Sequence, residues 1–172
     1  MSPVEVLIPE DQLRSRVNEI GHQIEGDYEG KDLILVGILK GAAMFMMDLI
    51  RVVQLPLAID FMAVSSYGAA TESSGVVRIL KDLETAITGR HVLLVEDIVD
   101  SGLTIAYVLD MLRRRGPASL KVAALLVKER AADAGLRMDY VGFTIGDEFV
   151  VGYGLDLDER YRNLPYVGLV KS

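Results

Sequence analysis

Residues 92–104, VLLVEDIVDSGLT, place an apolar strand, three acids and a small-residue loop in one uninterrupted run, and that run restricts the possible folds more than any other part of the chain. Val92, Leu93, Leu94 and Val95 have the composition of a central strand covered on both faces. Beyond the loop, Ile105, Val108, Leu109 and Leu112 recur at the spacing of one helix face. A doubly covered strand that feeds a helix belongs to a mostly parallel α/β sheet. At the carboxyl end of such a strand stand Glu96 and Asp97. Two adjacent acids cannot both face a core unpaired, and the carboxyl edge of an open α/β sheet is where ligands bind.

The loop Asp100-Ser101-Gly102-Leu103-Thr104 opens the helix. Its backbone N–H groups have no partner within the helix and lie at the positive end of the macrodipole, so they can cradle a phosphate. Ser101 and Thr104 add hydroxyl donors, and Gly102 allows close approach of the backbone. Standing alone, Asp100 or Ser101 would be read as a simple helix cap. The two acids directly upstream favour a ligand site.

The rest of the chain repeats the strand and helix alternation. Leu13, Val17, Ile20 and Ile24 predict an amphipathic helix closed by Gly26 to Gly30. Strands are expected over 33–39, 57–64, 76–81 and 120–128, with a helix over 42–53 and a polar, glycine-containing loop over 65–75. Segments 141–145, 149–155 and 166–170 read as strands. With 172 residues, 51% of them hydrophobic, one domain is expected, able to bury roughly 70% of its unfolded surface. Formal net charge is −7, which argues against a nucleic-acid binder. Cysteine is absent, and no stretch is apolar enough for a membrane span or a signal peptide, so a cytoplasmic setting is expected.

The 92–104 stretch resembles the phosphoribosyl pyrophosphate (PRPP) motif of type I phosphoribosyltransferases, and VEDIVDSGLT resembles that of the hypoxanthine-guanine enzymes in particular. Further matches follow in order: Leu39-Lys40-Gly41, Asp60-Phe61 with Ser66-Tyr67-Gly68, Leu126-Val127-Lys128, and Phe149 through Val150 to Asp156 with Arg162. The resemblance implies a mostly parallel sheet flanked by helices, with a small hood built mainly from about residues 145–172 and a flexible lid loop. It also implies purine salvage: transfer of the 5-phosphoribosyl group of PRPP to N9 of hypoxanthine or guanine, giving IMP or GMP and pyrophosphate.

Roles follow from the same resemblance. Residues Asp100, Ser101, Gly102, Leu103 and Thr104 would bind the 5′-phosphate, Glu96 and Asp97 the ribose hydroxyls, and Lys40, Gly41 and Arg162 the pyrophosphate. Ser66 and Tyr67 match lid residues that exclude water from the reaction. Asp100 is the candidate general acid or base. Lys128, a donor-only ammonium at a strand end, suits the O6 of a 6-oxopurine. Phe149 would stack on the base, with backbone groups near Val150 and Asp156 reading its edge; taken singly, Phe149 could equally be core and Lys128 a snorkelling surface lysine. A non-proline cis peptide is expected between Leu39 and Lys40. Two like charges 4 Å apart repel by about 4 kcal/mol at an effective dielectric of 20. A site that gathers Glu96, Asp97, Asp100 and Asp156 around a polyanion therefore implies Mg²⁺, with Glu96, Asp97 and Asp156 as its ligands. Relatives are dimers or tetramers, so a homodimer or homotetramer is expected. Two rivals are weaker. A nucleotide-sensing regulator that binds nucleic acid conflicts with the negative charge and with retention of the base-half residues, and a phosphatase of the haloacid dehalogenase type would need an Asp-x-Asp spacing that residues 96–100 lack.

Overall fold

A computed structural model describes residues 4–66 and 77–171. In chain order the elements are β1 (Val4–Ile8), α1 (Glu10–Tyr28), β2 (Leu33–Leu39), α2 (Ala43–Val52), β3 (Ala58–Ser66), β4 (Val77–Lys81), β5 (His91–Val99), α3 (Leu103–Arg113), β6 (Ser119–Lys128), α4 (Glu129–Ala132), β7 (Tyr140–Ile145), β8 (Val150–Val151) and β9 (Val167–Val170). The main sheet runs β4-β3-β2-β5-β6-β7, parallel throughout except for β4, which pairs antiparallel with β3. A second, smaller sheet runs β1-β9-β8. Among the described residues, no helix is long and apolar enough to cross a membrane.

Side chains alternate across the sheet with the strand period of two, and each face acquires its own core. Leu33, Leu35, Leu93, Val95, Ala123 and Leu125 pack against the stripe Leu13, Val17, Ile20 and Ile24 of α1 and against Phe45, Met46 and Leu49 of α2. Ile34, Val36, Val92, Leu94, Val122 and Ala124 pack against Ile105, Val108, Leu109 and Leu112 of α3. Complete burial of each such aliphatic side chain contributes about 1.5–3 kcal/mol. Because β2, β5 and β6 are central and parallel, their carboxyl ends open on one edge, where the loops that follow them converge.

Three differences from the sequence expectation have physical causes. Helix α1 runs through Gly26 to Tyr28, because Tyr28 continues the stripe from Ile24 and is almost fully buried; Gly30, at φ 74°, then ends the turn. The expected strand over 149–155 shrinks to Val150–Val151, because Gly152, Tyr153 and Gly154 all adopt positive φ and turn the chain. The N-terminal strand β1, not assigned from the sequence, pairs antiparallel with β9 and so joins the hood.

Asp60, buried in β3, anchors the turn after β4. Its carboxylate accepts the backbone N–H groups of Phe61 (2.8 Å), Glu84 (2.9 Å) and Thr85 (2.9 Å), and Lys81 stands 4.0 Å away. Burial alone would raise this carboxyl, but the three N–H donors and Lys81 hold it below the ordinary range. A carboxyl depressed on folding stabilises above its unfolded value, about 3.9, and that contribution is lost as pH falls through the lower folded value. Asp60→Asn is therefore expected to lose about 1–3 kcal/mol at pH 7, with the gap to the parent narrowing below about pH 4. Urea unfolding at pH 7 and pH 3 checks this; a gap independent of pH would contradict it.

Candidate active site

Glu96 and Asp97 lie near the carboxyl end of β5, where the strand leaves the core. Glu96 is 7% exposed and borders a cavity of ≈ 240 Å³ together with Ile38, Asp100, Ser101, Gly102 and Thr104. Burial pushes its carboxyl well above the usual carboxylate range, and the adjacent Asp97 charge adds to the effect. Burial raises Asp97 as well, opposed by the backbone N–H of Ile98 (2.7 Å) and by the positive charge of Arg162. Two adjacent acids, one buried and one partly buried, whose surroundings resist ionisation suit a divalent cation, which would reverse both shifts.

Asp97 also packs directly against the turn after β2. A Cβ built on Gly41 would lie 1.7 Å from its Oδ2, so only glycine permits this approach. The peptide between Leu39 and Lys40 is cis, as the resemblance implied. Lys40 projects from this turn, and its Nζ lies 2.7 Å from Glu159 Oε2 of the hood.

The loop after β5 enters α3 through Gly102, at φ 83° in the left-handed region, which glycine adopts without penalty. No side chain caps α3 at its N-cap position. Ser101 Oγ accepts only a long 3.4 Å contact from the Leu103 N–H, and Asp100 turns elsewhere, so capping does not account for these residues. Ser101, Gly102, Thr104 and Ile105, at the start of α3, line the cavity beside Glu96.

Asp100 Oδ1 accepts from Arg130 Nε at 2.6 Å and from Arg130 Nη2, with Lys128 Nζ at 3.8 Å. Sequence reasoning missed Arg130. It stands two residues past Lys128, and only the α4 turn, invisible in the apolar pattern, brings it back over the loop. Lys128 is the last residue of β6 and is buried, with Asp100 as its nearest charge. Phe149 is 58% exposed and so is not a core residue; Val150, next to it, is buried in β8.

Asp156 and Arg162 come together in the hood. Arg162 Nη2 lies 3.1 Å from Asp156 Oδ1 and 3.0 Å from Glu159 Oε1, Nη1 donates to the Gly154 carbonyl at 2.7 Å, and buried Nε has no partner among the described residues. Glu159 is the second residue that sequence reasoning missed. Among the described residues no three His, Cys, Asp or Glu side chains gather into a metal cage, and Asp156 is held by Arg162 rather than grouped with Glu96 and Asp97. Ser66 ends β3, and Tyr67 lies outside the described residues. A larger cavity of ≈ 400 Å³ between α1, α2 and the hood is bordered by Arg162 alone of these residues, so the chemistry does not reside there.

One sheet edge thus combines an anion cradle, an adjacent acid pair suited to a divalent cation, two cations on a turn and on the hood, and a lysine–aspartate pair, with Phe149 exposed. A family model described as the phosphoribosyl transferase domain matches residues 9–158. A hypoxanthine-guanine phosphoribosyltransferase of Mycobacterium bovis is 53% identical over 169 residues, covering 95% of this chain and 84% of that protein. The crystal structure of a hypoxanthine phosphoribosyltransferase from Staphylococcus aureus superposes with a TM-score of 0.93 at 49% identity, covering 97% of this chain and 91% of that one. The bifunctional protein TilS/HprT of Listeria innocua is 49% identical over 166 residues, and there the chain spans only 26% of the relative's length.

Proposed function

This chain belongs to the phosphoribosyl transferase domain family, and we propose that it transfers the 5-phosphoribosyl group of PRPP to N9 of hypoxanthine or guanine, releasing pyrophosphate and yielding IMP or GMP. The observation that carries this reading is the arrangement of Lys128, 3.8 Å from Asp100, at the same edge as the α3 cradle. A phosphorylated sugar seated in the cradle presents its anomeric carbon to a base held by Lys128.

The residues divide the work. Backbone N–H groups of 101–104, with the Ser101 and Thr104 hydroxyls, hold the 5′-phosphate. Glu96 and Asp97 orient the ribose hydroxyls. Lys40, the Gly41 backbone and Arg162 meet the departing pyrophosphate, where charge accumulates in the transition state. Lys128 donates to the purine O6, and Asp100 takes or returns the proton at the imidazole nitrogens. Phe149 offers its exposed face for stacking, and the backbone at Val150 and Asp156 reads the base edge. Ser66 and Tyr67 belong to the same proposal as lid residues. Glu96 and Asp97 would hold Mg²⁺, which would supply positive charge to the pyrophosphate, while Asp156 stands nearer Arg162. A cytoplasmic homodimer or homotetramer without nucleic-acid or membrane partners completes the reading.

Steady-state turnover of hypoxanthine, guanine, xanthine and adenine with PRPP, with and without Mg²⁺, tests it. Metal-dependent IMP and GMP without AMP is expected; AMP would overturn the base-pocket assignment, and no turnover of any base would overturn the reaction. Lys128→Met removes the O6 donor and should raise KM for hypoxanthine about 10-fold or more while KM for PRPP changes little. Equal changes in both would count against the assignment.

A further inference from the structure

Glu159 plays no part in the reaction as described, yet it joins the two cations assigned to the pyrophosphate. Its Oε2 lies 2.7 Å from Lys40 Nζ and its Oε1 lies 3.0 Å from Arg162 Nη2, so one carboxylate bridges the turn after β2 and the hood. The loop holds it there with care. Asp158, Glu159 and Tyr161 have φ of 50°, 62° and 75°, a region that L side chains rarely adopt, and the Glu159 N–H donates to Asp156 Oδ2 at 2.9 Å. Both Lys40 Nζ and Arg162 Nη2 donate to its carboxylate.

The charges in this cluster cancel. Lys40 and Arg162 supply two positive charges, and Asp156 and Glu159 two negative ones, so an approaching polyanion meets no net attraction. Asp156 is partly buried beside Arg162, whereas the Glu159 side chain is 62% exposed and can swing into solvent with little loss. Both cations keep unused donors, since ammonium carries three and guanidinium five.

We propose that Glu159 is an internal counter-anion that occupies the bridging position between Lys40 and Arg162 until pyrophosphate displaces it, and that it returns as pyrophosphate leaves. The inference rests on the assignment of Lys40 and Arg162 to pyrophosphate made above. Glu159 then sets how tightly PRPP and pyrophosphate are held without touching the purine. It is a positioning residue that acts through the two cations.

Calorimetric titration of the whole chain with pyrophosphate in Mg²⁺ tests this, using Glu159→Gln and Glu159→Asp. Glu159→Gln keeps the shape and removes the charge, and should tighten pyrophosphate and lower KM for PRPP by about three- to tenfold. KM for hypoxanthine should stay unchanged, and kcat should fall as pyrophosphate release slows. Glu159→Asp, which restores the charge, should return pyrophosphate affinity toward that of the parent. Weaker or unaltered pyrophosphate binding in Glu159→Gln, with normal binding in the parent, would overturn the role of Glu159 alone. Failure of the parent to bind pyrophosphate would overturn the assignment of Lys40 and Arg162, and this inference with it.

Discussion

Asp100→Asn should lower kcat by about 10²–10⁴-fold while leaving the fold and KM for PRPP nearly unchanged. The substitution preserves the shape of the side chain and an oxygen for Arg130, which donates to Oδ1 at 2.6 Å, but removes the ability to take up a proton. Asp100 is half exposed, so the amide creates no buried vacancy, and stability should move by no more than about 0.5 kcal/mol. Lys128, 3.8 Å away, would lose its nearest negative charge yet keep its place at the end of β6. Initial rates with saturating PRPP and hypoxanthine, paired with a thermal melt, separate the two effects. An unchanged kcat would remove Asp100 from the chemistry, and a lowered melting temperature would assign the loss to structure instead.

Gly41→Ala should be nearly as damaging for a different reason. The added Cβ would lie 1.7 Å from Asp97 Oδ2 and 2.6 Å from its Cγ, inside any tolerable contact. Neither side can yield easily. Asp97 is partly buried at the end of β5 and its Oδ1 is held by the Ile98 N–H at 2.7 Å, and the turn is braced from the hood, where a Cβ on Gly154 would meet the Gly41 carbonyl oxygen at 2.2 Å. A methyl group forced into such packing costs about 1–3 kcal/mol. Displacement of Asp97 or Lys40 by even 1 Å can cost 10²-fold in rate, so kcat/KM for PRPP should fall by at least about that factor. Kinetics with PRPP as the varied substrate, at a temperature where the variant is folded by circular dichroism, would show it. Parent-like kinetics would mean that the turn and Asp97 are not mechanically joined.

The parts of the site that were legible in the sequence are those in which chemistry and local structure coincide. Residues 92–104 carry strand, acids, loop and helix contiguously, so the apolar period places Glu96, Asp97 and Asp100 without knowledge of the rest. Lys128 was legible because a charge that ends a run of buried strand residues has one edge to emerge from. Arg130 and Glu159 were not. Each reaches its partner through a turn whose course is set by tertiary contacts: Arg130 through α4, Glu159 through three residues in left-handed conformation. Phe149 was open between core and stacking until its exposure was known. The strand expected over 149–155 failed because its apolar content was genuine, but Gly152 and Gly154 turn the backbone out of an extended path. For β1, five mostly apolar residues are too short to stand out, and their partner β9 lies far along the chain.

That last pairing bears on how the molecule comes into being. Val4 stands opposite Val170, so β1 must wait for β9, far along the chain, before its ladder can close. Contacts this distant in sequence carry the largest loop-closure penalty and form late. Until then β1 remains an unpaired edge. Ile8, Val150 and Val167 join the core that α1 and α2 share with the main sheet, and interactions of this kind that form after the rate-limiting step govern how slowly a protein comes apart rather than how fast it forms. The β1–β9 ladder thus acts as a clasp on the lifetime of the native state.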